Sequence, residues 1–89
     1  MATQTRLSTR IVRDPAILAG KPVVQGTRIP VELVLAKLAA NPDLAELFAD
    51  YPRLSLEDVR ACLDYARLAV AEIERAKPLM PPFEHQILP

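Results

Sequence analysis

Few side chains in this sequence are of a type that does covalent chemistry. One cysteine, Cys62, and one histidine, His85, lie in different segments. A structural zinc site takes about four Cys, His or acidic ligands at close spacings, and a disulfide takes cysteines in pairs, so neither is expected. Cys62 falls in an apolar stripe, the setting of a small buried hydrophobe rather than a reactive thiolate. His85 has no nucleophile pattern near it. Glu57-Asp58 reads as an acidic helix N-terminus favoured by the macrodipole, and Tyr51 and Tyr65 read as core or interface aromatics with a wet hydroxyl. The Gly20-Lys21 pair is followed by Pro22 instead of Ser or Thr, and two glycines in the whole chain cannot build a phosphate loop. No catalytic residue, metal, cofactor or small-molecule substrate is expected, and the chain does not read as an enzyme.

The chemistry left is that of charge and of apolar surface. The formal net charge of zero divides into unlike halves: residues 1–40 carry six bases against two acids, and residues 41–89 carry five against nine. Such asymmetry fits a nucleic-acid or acidic partner at the basic end, and it equally fits two solvated faces that interleave in the fold. If DNA is the partner, Arg6, Arg10, Arg13, Lys21 and Arg28 supply most of the electrostatics, and Arg53, Ser55 and Arg60 add contacts near the start of the last helix.

These residues have to be held by a small body. Eighty-nine residues, 51% of them apolar, fit one domain that buries roughly 60% of the unfolded chain's surface. No uncharged run exceeds six residues, far short of a membrane span, and no apolar signal core precedes the domain, so a cytoplasmic location is expected. Nine prolines and two glycines punctuate the chain. Two β-prone runs, Arg10-Ile11-Val12-Arg13 and Pro22-Val23-Val24-Gln25, predict a hairpin or two-stranded ribbon over about 10–29, which must lean on helices or on a second chain.

Val31, Val34, Leu35, Leu38 and Ala39 share one helical face, predicting a helix over about 30–40 that opens on Pro30. Asn41-Pro42-Asp43 reads as a stop followed by an N-cap, an N1 proline and a first-turn acid, with a short helix over about 43–50 burying Leu44, Leu47 and Phe48. Ser55 and Asp58 form a capping box in which Asp replaces the usual Glu. From there Leu56, Val59, Cys62, Leu63, Ala66, Ala69, Val70, Ile73 and Ala76 recur at three- or four-residue steps, predicting a helix over about 55–77. On its outer face Arg60, Asp64, Arg67, Glu72 and Arg75 have the spacing of solvated ion pairs. Four prolines in 78–89 forbid a helix there, while Leu79, Met80, Phe83, Ile87 and Leu88 are apolar enough to seek a groove on this chain or another. The predicted fold is mainly α: three helices in a helix-turn-helix arrangement, a small N-terminal ribbon and an extended tail.

The block Gly20-Lys21-Pro22-Val23-Val24-Gln25-Gly26-Thr27-Arg28-Ile29-Pro30-Val31 is followed by Asp50-Tyr51-Pro52, then Leu54-Ser55-Leu56-Glu57-Asp58-Val59 and Tyr65-Ala66. Together these resemble the DUF-433 family, over about Ile11 to Ala69. The resemblance implies a homeodomain-like helix-turn-helix domain and an antitoxin of the VapB kind, paired with a PIN-like ribonuclease toxin. Physically, Gly20 and Gly26 supply backbone geometry closed to other residues, and Arg28 ties the strand to an acid such as Asp50 or Glu57, or contacts DNA. Where members carry Gly and then Ser or Thr between the first two helices, this chain has Ala40-Asn41-Pro42, with Asn able to take the left-handed conformation.

The expectation is therefore a type II antitoxin, a homodimer, with residues 1–77 as the helix-turn-helix domain presented to operator DNA. Residues 78–89 form its partner-binding segment, and Arg75 and Lys77 at the end of the last helix together with Leu79, Met80, Phe83, Ile87 and Leu88 in that segment meet the toxin. The rival expectation is a protein-interaction module that inhibits its partner without touching DNA, which the acidic first turn of the last helix favours.

Overall fold

A computed structural model describes residues 4–76. Three short strands, β1 (Thr5–Ser8), β2 (Ile11–Arg13) and β3 (Val23–Val24), form an antiparallel sheet in the order β1-β2-β3. Three helices follow, α1 (Val31–Ala40), α2 (Leu44–Asp50) and α3 (Leu56–Ala76).

The expected two-stranded ribbon is a three-stranded sheet. β2 and β3 are the two β-prone runs, paired Ile11 to Val24 and Val12 to Val23. β1 has no apolar alternation to announce it, and pairs with β2 because the chain reverses through Thr9-Arg10 with Arg10 at φ +68°. A register shift between Arg6 and Ser8 accommodates the turn and lets Leu7 pack against the core. Strand alternation sends Ile11 and Val24 to the helices, and Val12 and Val23, also buried, to the opposite face.

The Gly-flanked block folds tightly on itself after β3. Thr27 donates both its N–H and its hydroxyl to Val24 O, its Oγ1 accepts from Ile29 N–H at 2.9 Å, and Val31 N–H returns to Pro22 O. Gly26 at φ +81° and Gly20 at φ +86° occupy the left-handed region, as the block's pattern predicts. Leu18 and Ala19 are left-handed as well, at φ +51° and +56°, and nothing in their residue types signals it.

Sequence and structure differ at the helix ends for local reasons. Pro30 is the N-cap of α1 rather than its first residue. Asn41 caps the C-terminus of α1 with φ −154°, so it is extended and not left-handed. Asp43, not Asn41, is the N-cap of α2, its carboxylate accepting from Glu46 N–H at 3.2 Å. Asn41 uses its side-chain amide to hold Glu46.

The core gathers Ile11 and Val24 from the sheet, Val31 and Val34 from α1, Leu47 from α2, Leu54 from the α2–α3 connection, and Val59, Ala61 and Cys62 from α3. Leu56 and Leu44, expected inside, are 49% and 39% exposed. Both stand in the first turn of their helix, ahead of the point where it meets the core.

Candidate interaction surfaces

Asp58 is the one buried charged residue among those described. Its Oδ2 accepts from Ser55 N–H at 3.0 Å while Ser55 Oγ accepts from Asp58 N–H at 3.2 Å, the reciprocal capping box that the sequence predicts. Its remaining oxygen, Oδ1, accepts from Arg10 Nη1 at 2.9 Å. A short Asp in place of Glu keeps the carboxylate close to the helix, within reach of the β1–β2 turn. Arg10 also accepts at its carbonyl from Gln25 N–H at 2.7 Å, so the turn is fastened to the residue that follows β3 and to α3 at once.

The candidate DNA-contact residues fall into two groups. Arg10, Lys21, Arg53 and Ser55 are engaged within the protein: Lys21 pairs with Glu32 at 3.1 Å, and Arg53 Nη2 donates to Gly26 O at 2.9 Å. Arg6, Arg13, Arg28 and Arg60 are exposed. Arg6 stands opposite Val12 and Arg13 opposite Thr5, which sets the two arginines on opposite faces of the sheet. Asp50, a candidate partner of Arg28, is taken by Lys37 at 3.4 Å. A shallow depression lined by Arg10, Arg60 and Arg67, with Glu57 and Asp64, is the place where bases from the hairpin and from α3 come together. At the first turn of α3, Glu57 faces solvent and Asp58 faces Arg10.

The second surface is apolar. α3 has 21 residues and is about 32 Å long, against about 15 Å for α1, so the body covers only its first half. Its apolar stripe does not stop there. Leu63, Val70 and Ile73 are 50%, 53% and 61% exposed. Beside them, α1 and the middle of α3 bound a groove of about 330 Å³ whose walls include Pro22, Pro30, Leu35, Ala66 and Ala69. Periodicity alone groups these α3 residues with the core. The signal that separates them is length, since the stripe outruns every element able to cover it.

Of the candidate partner-binding residues, Arg75 is exposed and pairs with Glu72 at 2.6 Å. Lys77, Leu79, Met80, Phe83, Ile87 and Leu88 lie outside the described residues. The expected Asp64–Arg67 pair forms at 2.9 Å. Cys62 is fully buried, and burial, followed by the charge of Asp58, pushes its thiol up to about 11. Among the described residues no cluster of His, Cys, Asp or Glu could hold a metal, and no helix is long and apolar enough to cross a membrane.

A module bounded by β2 and the middle of α3, closed by the Gly-flanked block and the capped start of α3, defines a family. Residues 11–66 match the family described as "Protein of unknown function (DUF433)", and the chain belongs to it. The uncharacterized protein y4eO of Sinorhizobium fredii (strain NBRC 101917 / NGR234) is 39% identical over 56 residues, which are 63% of this chain and 25% of that protein. The chain thus spans about a quarter of the length of the curated relative it matches. No solved structure matches the chain. The matched span stops at Ala66, where α3 leaves the body, so the exposed end of α3 lies beyond the shared module.

Proposed function

We propose that the chain is the antitoxin of a type II toxin–antitoxin module, acting as a homodimer. It neutralises a PIN-like ribonuclease by direct binding and represses its own operon through DNA. The observation that carries this reading is the second half of α3, which continues past the core with an apolar edge that nothing among the described residues covers. A helix built in this way suits a protein whose work is to hold other protein chains. Arg75, Lys77 and the apolar segment 78–89 continue from that end and are assigned to the toxin.

For the DNA half, α2 and α3 joined through Tyr51 to Ser55 are read as the homeodomain-like helix-turn-helix pair, with Arg6, Arg13, Arg28 and Arg60 as the exposed bases. A second reading, a module that inhibits its partner without binding DNA, is favoured by one observation. The first turn of α3, which a recognition helix directs at base edges, carries the exposed carboxylate of Glu57.

Two experiments test the proposal. Co-expression of the toxin with the full chain should restore growth, whereas a chain ending at Lys77 should not; full rescue by the shorter chain would remove residues 78–89 from toxin binding. A gel shift with the DNA upstream of the operon should show a retarded band that weakens with salt. Its absence would leave the second reading.

A further inference from the structure

We infer that the exposed edge of α3 is the seam of an antiparallel two-fold dimer, in which α3 of a second copy lies across it centred on Val70. The inference rests on the homodimer of the preceding reading and on neither its toxin nor its DNA.

Leu63, Ala66, Val70 and Ile73 follow a three-four-three spacing, which sets them along one edge of the helix as in a coiled-coil seam. The edge continues the stripe that buries Val59 and Cys62, so it leaves the core without a break. Under reversal its one small residue, Ala66, meets the large Ile73. With two α3 helices antiparallel and crossing at Val70, each Val70 meets its copy, and Ile73 of each chain falls against Ala66 of the other. The small Ala66 and Ala69 are also walls of the groove beside Leu35 and Pro30, which gives the incoming Ile73 an apolar hole to fill.

Charge follows the same rule. On the flank of the seam, Arg67 of one chain comes opposite Glu74 of the other, and the two-fold axis makes the contact twice. In a parallel pair Arg67 and Glu74 of the two chains stand at different heights and do not meet. The fit of Ile73 against Ala66 and the charge order both select the antiparallel arrangement.

Sedimentation equilibrium of the full chain should give twice the mass of one chain. Val70→Glu with Ile73→Glu, both on exposed positions, should halve it while the circular dichroism and the unfolding transition stay close to those of the parent. Arg67→Glu should weaken the dimer, and adding Glu74→Arg should restore it. In oxidising buffer Val70→Cys should cross-link the two chains. Ile73→Cys alone should not, because the two copies are then about 10 Å apart along the helices, beyond disulfide reach. A single-chain mass for the parent would overturn both the seam and the homodimer. A dimer that survives the double Glu substitution would overturn the seam and leave the homodimer standing on another surface. Cross-linking through Ile73→Cys would overturn the antiparallel arrangement.

Discussion

Arg10 Nη1 lies 2.9 Å from Asp58 Oδ1 and joins the turn between β1 and β2 to the first turn of α3 across 48 residues of sequence. Asp58 is 7% exposed; its carboxylate accepts from two donors, Ser55 N–H and Arg10, and its own N–H donates to Ser55 Oγ. The sheet and the longest helix are held together at this carboxylate.

Asp58→Ala removes the cap and leaves Ser55 N–H without its acceptor, and should cost about 2–3 kcal/mol in urea unfolding. Arg10→Ala should cost less, about 1 kcal/mol, because the guanidinium is half exposed and its ion pair is screened. With φ at +68°, Arg10→Gly should be more stable than Arg10→Ala by about 1 kcal/mol. Equal stability of the two would contradict the left-handed turn.

The left-handed run Leu18-Ala19-Gly20 gives a second stability prediction. Ala19→Gly should stabilise the protein by about 1 kcal/mol, since it relieves a strained φ at an exposed position. Gly26→Ala should cost a similar amount from backbone strain alone, because no atom lies within 4 Å of the added methyl. Thermal melts of the two variants should therefore move in opposite directions.

Cys62 gives a pH dependence of known sign. Its thiol is raised from 9.0 to about 11 in the folded protein by burial and then by the charge of Asp58. The folded state holds this proton more tightly than the unfolded chain, so the stabilisation is complete below about pH 9 and is lost as the pH rises towards 11. Urea midpoints should fall across that window more steeply in the parent than in Cys62→Ala. Alkylation of the native thiol at neutral pH should be negligible until urea unfolds the chain.

Much of this was legible in the residues and some was not. The three helices follow from apolar spacing, and the Ser55–Asp58 box follows from two residues three apart. The third bond of Asp58 does not, because its donor is 48 residues away on a turn whose left-handed Arg10 has no distinguishing type. β1 was hidden for the same reason: Thr5-Arg6-Leu7-Ser8 carries no alternation, and only the turn makes it a strand. In α3 the stripe read correctly as one apolar face. Periodicity cannot say where the covering elements end, so Leu63, Val70 and Ile73 read as core although they face outward.

The same hub redistributes the expected DNA contacts. If operator DNA binds one face of the hairpin, one of Arg6→Ala and Arg13→Ala, which stand on opposite faces, should lower the slope of log affinity against log salt by about one unit. Arg10→Ala should lower it far less, since Asp58 already holds the guanidinium. Slopes unchanged in both Arg6→Ala and Arg13→Ala would take the hairpin out of the DNA interface.

Neutralisation by direct binding, as proposed, is tested by titrating the purified full chain into the PIN-like ribonuclease of the proposed module during RNA cleavage. Cleavage should fall in proportion to added chain and end at a fixed stoichiometric ratio, with the two proteins eluting as one complex. Undiminished cleavage in the presence of excess folded chain would contradict it.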